Sequence, residues 1–189
     1  MSTISVVSKA DQLCIAADSL TSFGDLQLPA AMDAHHDKIQ SFGNTHLGIV
    51  GSAAHALVIE SALERPDFNA DFSNRSAIFE TFTRLHSLLK EHYFLNPKDD
   101  DEDPYESTRI DCVLVNPNGI FAVYGLREVY EYTRFWSIGA GADYALGAMH
   151  ATYDSDLDAG QIAARGIEAS ALFNNSTALP MTLKTVTRA

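Results

Sequence analysis

Basic residues are scarce in this 189-residue chain. Thirteen lysines and arginines stand against 25 aspartates and glutamates, a formal net charge of −12. Lys and Arg are nowhere gathered into a patch, which excludes the phosphate-neutralising footprint that nucleic acid or an anionic membrane surface requires. Cysteine is nearly absent. Cys14 and Cys112 both lie in apolar, strand-like runs, too few for a disulfide framework, and read as buried thiols of a reducing compartment. No apolar run approaches the ~20 residues of a membrane span. The first residues lack the basic region and long apolar core of a signal peptide, so the expected location is cytoplasmic. There is no internal repeat and no linker-like segment. With 46% apolar residues, the expectation is one domain over residues 1–189 with a sizeable core.

What is present is a clear alternation of period. Thr3–Ser8 and Leu13–Ala17 are strand-like and flank a polar turn at Lys9-Ala10-Asp11-Gln12, which makes a hairpin. Ser19 to Met32 reads as loop. Asp37–Phe42 and His46–Val50 are β-like and split by Gly43-Asn44. A helix then opens with Ser52 as N-cap and runs to about Leu63 before Pro66. A second starts at Ser73, with Ile78, Phe79, Phe82, Leu85, Leu88 and Leu89 at three-and-four spacing, and ends at Pro97. Strands resume at Ile110–Val115, Ile120–Tyr124, Glu128–Tyr132 and Phe135–Ile138, with a turn at Asn116-Pro117-Asn118-Gly119. Two more helices follow, Ala142 to about Tyr153 and one capped by Asp158 to about Phe173, then a strand at Met181–Thr187. Tight turns between neighbouring strands predict largely antiparallel sheets, each covered by one helix pair. The fold class is therefore α+β, a four-layer α-β-β-α sandwich with two sheets face to face.

Chemistry concentrates at the start. Ser2 follows the initiator Met, which cells remove before small residues. A terminal Ser carries a hydroxyl nucleophile and an amine base on one residue. Such a nucleophile needs nearby charge that keeps its amine able to accept a proton, and a backbone N–H aimed at the oxyanion. Lys38 supplies the cation, since like-charge repulsion lowers an amine's pKa. Asp18 is placed to pair with Lys38. Gly51, at a strand-to-helix switch, offers an N–H without a side chain in the way.

The stretches Ser2-Thr3-Ile4, Cys14-Ile15-Ala16-Ala17-Asp18, Asp37-Lys38-Ile39 and Gly48-Ile49-Val50-Gly51-Ser52-Ala53 resemble proteasome β-type subunits and the HslV-type bacterial peptidase. Ser137-Ile138-Gly139-Ala140-Gly141-Ala142 is similar to the family's strand-Gly-x-Gly-helix segment. Among bacterial branches the chain is most similar to the proteasome homologue of betaproteobacteria. The resemblance is dense in the first sixty residues and extends over the chain in element order. It implies the N-terminal nucleophile hydrolase fold and a threonine-type peptidase assembled as a homo-oligomeric double ring, with an inner chamber and no metal or organic cofactor. Carried over by position, it implies Ser2 as nucleophile, Asp18 as acid, Lys38 as lysine and Gly51 as oxyanion glycine. Implied partners are peptides or unfolded polypeptides, the latter delivered by an ATP-dependent unfoldase.

Several residues depart from the family pattern. Ser2 stands where Thr is usual, with Thr3 behind it. Ala140 stands where the family often has a nucleophile-positioning Ser. Asn174-Asn175-Ser176-Thr177 lacks the acid of the proteasome Asp-x-x-Ser, and the HslV-type enzymes also depart there. The segment between Asp18 and Lys38 is about four residues longer than usual. These departures keep open two other readings, a ring-forming scaffold with little activity and a small-molecule amidase on the same fold. Elsewhere, His35-His36 beside Asp33 and Asp37 reads as a polar loop rather than a metal site, and Asp99 to Asp103 as a solvated loop. Trp136 and the Tyr124, Tyr130, Tyr132 stripe read as strand packing. Ile49 and Ala53 fit either core or a small apolar substrate pocket. Gly139-x-Gly141 is too short for a nucleotide fingerprint.

Overall fold

A computed structural model describes residues 2–96, 103, 105–108 and 110–189, with Ala53 described by its backbone only. The chain runs β1 (Thr3–Lys9), β2 (Gln12–Asp18), β3 (Thr21–Phe23), β4 (Leu26–Leu28), β5 (Ile39–Phe42), β6 (Thr45–Val50), α1 (Ala53–Leu63) and α2 (Arg75–His92). It continues β7 (Asp111–Asn116), β8 (Gly119–Val123), β9 (Val129–Tyr132), β10 (Phe135–Gly139), α3 (Ala142–Thr152), α4 (Ala159–Phe173) and β11 (Met181–Thr187). One sheet has the order β10-β1-β2-β11 and the other β5-β6-β7-β8-β9, and the strand pairs within both are antiparallel.

The period-two pattern of β1 and β2 explains the layering. Ile4, Val6, Leu13, Ile15 and Ala17 point between the sheets, against Val113, Val115, Ile120 and Ala122 of the second sheet. Val7, Cys14 and Ala16 point the other way, onto Ala145 and Met149 of α3 and Ile162, Ala163 and Ile167 of α4. On the far side, Cys112, Leu114 and Phe121 meet Ile59 of α1 and Ile78, Phe82, Leu85 and Leu89 of α2. The expected four-layer sandwich is therefore the observed one. Each fully buried Ile or Leu contributes about 1.5–3 kcal/mol. The sheets close tightly at Gly48, where a Cβ would lie 2.9 Å from both Ile4 Cδ1 and Cγ2.

Local signals explain most boundaries. Ser52 caps α1 through Ala54 N–H, and Asp158 and Gln161 form a reciprocal capping box on α4. The second helix starts two residues later than expected, at Arg75, because Asn74 rather than a residue before Ser73 accepts the first free N–H groups, from Ser76 and Ala77. The segment expected as loop between Ser19 and Met32 instead holds the β3–β4 hairpin, turning at Gly24, and a 3-10 turn over Ala30–Met32. Its strands are only three residues long, below the roughly four to eight residues that mark a strand by pattern. The aromatic stripe packs as expected. Trp136 stacks on Tyr132 at 4.9 Å between ring centres and donates its Nε1–H to Tyr124 Oη at 2.7 Å. Met1, Pro97 as a helix stop and the acidic residues Asp99 to Glu102 lie outside the described residues. Among the described residues, no helix is long and apolar enough to cross a membrane.

Candidate active site

β1 enters the sandwich between β10 and β2, so its first residues have neighbours on both sides. Ser2 is 8% exposed and Thr3 is fully buried. Thr3 pairs with Gly139 across β10, and Ile4 pairs with Ala17 across β2. This register brings the end of β2, and with it Asp18, beside the start of β1.

Asp18 is 1% exposed and both its oxygens are occupied. Oδ1 accepts the Thr3 backbone N–H at 2.8 Å and the Lys38 ammonium at 2.8 Å. Oδ2 accepts Leu20 N–H at 3.0 Å and Ala178 N–H at 3.3 Å. Lys38 also donates to the Leu20 carbonyl at 2.7 Å. A carboxylate so enclosed by donors has its lone pairs satisfied, and it compensates the desolvation of the lysine. Burial still pulls the Lys38 ammonium below the ordinary lysine range, while attraction to Asp18 and their hydrogen bond pull it back up.

The Gly139-Ala140-Gly141 segment closes on the other side. Ala140 N–H donates to the Ser2 carbonyl at 2.8 Å. Gly139 has φ +97°, and a Cβ there would fall 2.0 Å from the Ser2 carbonyl oxygen and 3.1 Å from Val50 Cγ1. Val50 is the residue before Gly51, so the end of β6 adjoins the same spot. Gly51 itself has φ +110° with open space around it. There the glycine meets a backbone requirement rather than a packing one. Gly139 thus serves close backbone approach to Ser2.

The structure pairs Asp18 with Lys38 and bonds Asp18 to the backbone of Thr3, the residue after Ser2, while Gly51 follows Val50, whose side chain adjoins Gly139. Ile49 takes the core alternative, facing α1 and α2. The Ala53 side chain lies outside what is described. His35 and His36 belong to a polar turn, with His35 N–H donating to Asp33 Oδ1 and His36 Nδ1 against the Asp33 carbonyl. Residues that sequence reasoning had not placed here are Ser170, Asn174 and Thr177. Asn174 Nδ2 donates to the Ala140 carbonyl at 2.9 Å, and Ser170 Oγ donates to the Gly141 carbonyl at 2.8 Å. Only the absent acid at 174–177 drew attention to this stretch, and it drew it as a loss.

No family model and no curated protein matches the sequence. Solved structures do. The chain is similar to Thiobacillus denitrificans BPH, a bacterial proteasome homologue, with a TM-score of 0.92 and 36% identity over 99% of this chain and 98% of that chain. Against Thiobacillus denitrificans BPH in complex with epoxomicin the values are 0.91 and 34%, over 99% of each chain. Eukaryotic HslV from Trypanosoma brucei shares the fold, with a TM-score of 0.73 and 18% identity over 98% of this chain and 99% of that chain. With this identity over nearly its whole length, on a sandwich whose first strand is tied to a buried Asp–Lys pair, the chain belongs to the proteasome-homologue family that includes Thiobacillus denitrificans BPH.

Proposed function

We propose that this protein is a peptidase of the N-terminal nucleophile class, with Ser2 as its nucleophile once Met1 is removed. The Ser2 hydroxyl attacks a peptide carbonyl, and its proton passes to the Ser2 amine, directly or through water. The Gly51 N–H takes up the tetrahedral oxyanion. Collapse expels the leaving amine, which receives that proton, and leaves an ester on Ser2 Oγ. Water then hydrolyses the ester by the same route. Lys38, held charged by Asp18, opposes protonation of the amine and keeps it a base at neutral pH. Chain 1–189 acts as one unit, in a homo-oligomeric double ring that takes peptides or polypeptides unfolded by an ATP-dependent partner.

The observation that carries this reading is the buried Asp18 carboxylate, shared between the Lys38 ammonium and the Thr3 backbone at 2.8 Å each. The epoxomicin complex of the Thiobacillus denitrificans relative lends support. Intact mass before and after epoxomicin treatment tests it. Loss of Met1 and a single adduct that Ser2→Ala abolishes are expected. A Ser2→Ala protein with full peptidase activity overturns the assignment. Processing without an adduct favours the scaffold reading, and a monomer or dimer that hydrolyses small amides favours the amidase.

A further inference from the structure

The buried Thr3 side chain has no part in the mechanism above, yet its hydroxyl bonds two other segments of the chain. Its Oγ1 accepts the Gly141 N–H at 3.0 Å and lies 2.7 Å from Thr177 Oγ1. Thr177 Oγ1 in turn donates to Asn174 Oδ1 at 3.4 Å. Thr177 has a single hydroxyl proton, and donating it to Asn174 leaves the Thr3 proton to run toward Thr177. The bonds then point one way, from Gly141 N–H through the Thr3 and Thr177 hydroxyls to Asn174 Oδ1. Asn174 closes the path, since its Nδ2 donates to the Ala140 carbonyl and Ala140 N–H donates to the Ser2 carbonyl.

Two independent features show that this ring is built. Gly141 has no need of glycine on backbone grounds, its φ being −99°. A Cβ there would nevertheless sit 2.5 Å from Thr3 Oγ1 and 2.8 Å from Ser170 Cβ, so the missing side chain is what lets the hydroxyl reach the N–H. Asn174 must also donate on one side and accept on the other. It accepts Ser176 N–H at 2.8 Å as well as the Thr177 hydroxyl. A carboxylate at 174 has acceptors on both sides and meets the Ala140 carbonyl with a lone pair.

We propose that Thr3, Thr177 and Asn174 form an uncharged hydrogen-bond clamp that fixes where Ser2 stands, with Thr3 and Asn174 as its positioning residues. This rests on the reading of Ser2 as nucleophile. The Ser2 carbonyl is held by Ala140, and the next residue is held by its backbone on Asp18 and by its side chain on Gly141. These bonds fix the Ser2 backbone, the point from which its hydroxyl and amine project. A displacement near 1 Å at a reacting group costs on the order of 100-fold in rate, so a clamp of this kind acts on turnover more than on substrate affinity.

The test compares Thr3→Val, Thr3→Ser, Asn174→Asp and Thr177→Val with the parent protein. Fluorogenic-peptide kinetics and amide hydrogen exchange at Ala140 and Gly141 are the readouts. Thr3→Val is expected to lower kcat on the order of 10- to 100-fold with KM held within about twofold, and to speed Gly141 exchange. Thr3→Ser restores the hydroxyl and most of the rate. Asn174→Asp speeds Ala140 exchange and lowers kcat. Thr177→Val gives a second route should Thr3→Val fold poorly. Wild-type kcat and unchanged exchange in Thr3→Val, or no rescue by Thr3→Ser, overturn the clamp. A parent protein inactive toward peptide and inert to epoxomicin, with exchange in Thr3→Val still quickened, overturns the peptidase reading and leaves the clamp standing.

Discussion

The Lys38 ammonium and the Asp18 carboxylate meet at 2.8 Å, the Asp18 side chain fully buried and the Lys38 side chain 14% exposed. The pair spans the end of β2 and the residue just ahead of β5. It thus ties the first sheet to the second at the point where β1 begins. Removing one member strands the charge of the other in a poorly hydrated place, and loses more than the pair itself contributes.

For this reason Asp18→Ala is expected to lose about 3–5 kcal/mol of folding stability and essentially all peptidase activity. Leu20, Thr3 and Ala178 each lose an acceptor as well. Urea unfolding followed by the fluorescence of Trp136, the only tryptophan in the chain, gives the stability, and peptide turnover gives the rate. A variant with parental midpoint and slope contradicts this account of the site.

The pH dependence follows from Lys38. Its ammonium loses its proton at a lower pH than lysine in water, because burial outweighs the help from Asp18. Between those two pH values the unfolded chain holds the extra proton, so the stability linked to this group rises with pH there. Activity moves the opposite way, since the cation that tunes the Ser2 amine disappears. The profile of kcat/KM is expected to fall on an alkaline limb below the ordinary lysine range. A plateau extending through that range counts against Lys38 as the tuning cation.

Ser2→Thr is expected to raise kcat by a few-fold. The added methyl restricts χ1 and spares part of the ordering that serine undergoes in reaching the transition state. Steady-state kinetics on the processed protein checks this, with intact mass to establish loss of Met1. A lower rate in a fully processed Ser2→Thr protein shows that the site is shaped for the smaller residue.

Gly139→Ala places a methyl 2.0 Å from the Ser2 carbonyl oxygen at φ +97°. The left-handed backbone alone costs about 1–2 kcal/mol and the clash adds about 1–3. Thermal unfolding is expected to fall accordingly, with loss of epoxomicin labelling. Gly51→Ala, which meets no neighbour, is expected to show the backbone part only.

Neither cysteine is a reagent target in the native state. Burial pushes the Cys14 thiol up to about 12, with Asp158 adding to the effect, and burial drives Cys112 higher still. Both are free and buried. Iodoacetamide at pH 8 is expected to leave the folded protein unmodified and to alkylate both sites in urea. Rapid labelling without denaturant contradicts the packing of Cys14 against α3 and α4.

The layers were readable because β1 and β2 carry apolar runs bounded by polar turns and because Ser52 and Asp158 announce their helices. Asp18, Lys38 and Gly51 stood out as residue types at strand ends. The short β3–β4 hairpin carried no such pattern, since three-residue strands exposed to solvent have no face to bury. The clamp was equally hidden. Thr3, Ser170, Asn174 and Thr177 are ordinary polar residues, and their roles arise only when strands far apart in sequence are laid together. The sequence showed that an acid is missing at 174, but not that an amide there donates to the Ala140 carbonyl while accepting the Thr177 hydroxyl. Ile49 illustrates the same limit from the other side. Alternation places it on one of two faces, and the packing of α1 and α2 decides which.

The bond between Thr3 and Thr177 joins residues 174 positions apart. During synthesis the segment carrying Asn174, Thr177 and Ala178 emerges long after Ser2 does, and only then can the Ala178 N–H reach Asp18. A nascent or partly folded chain therefore carries the hydroxyl without the frame that makes it reactive. Under the proposed function, timing of this kind keeps the site incomplete until the last strand has been made.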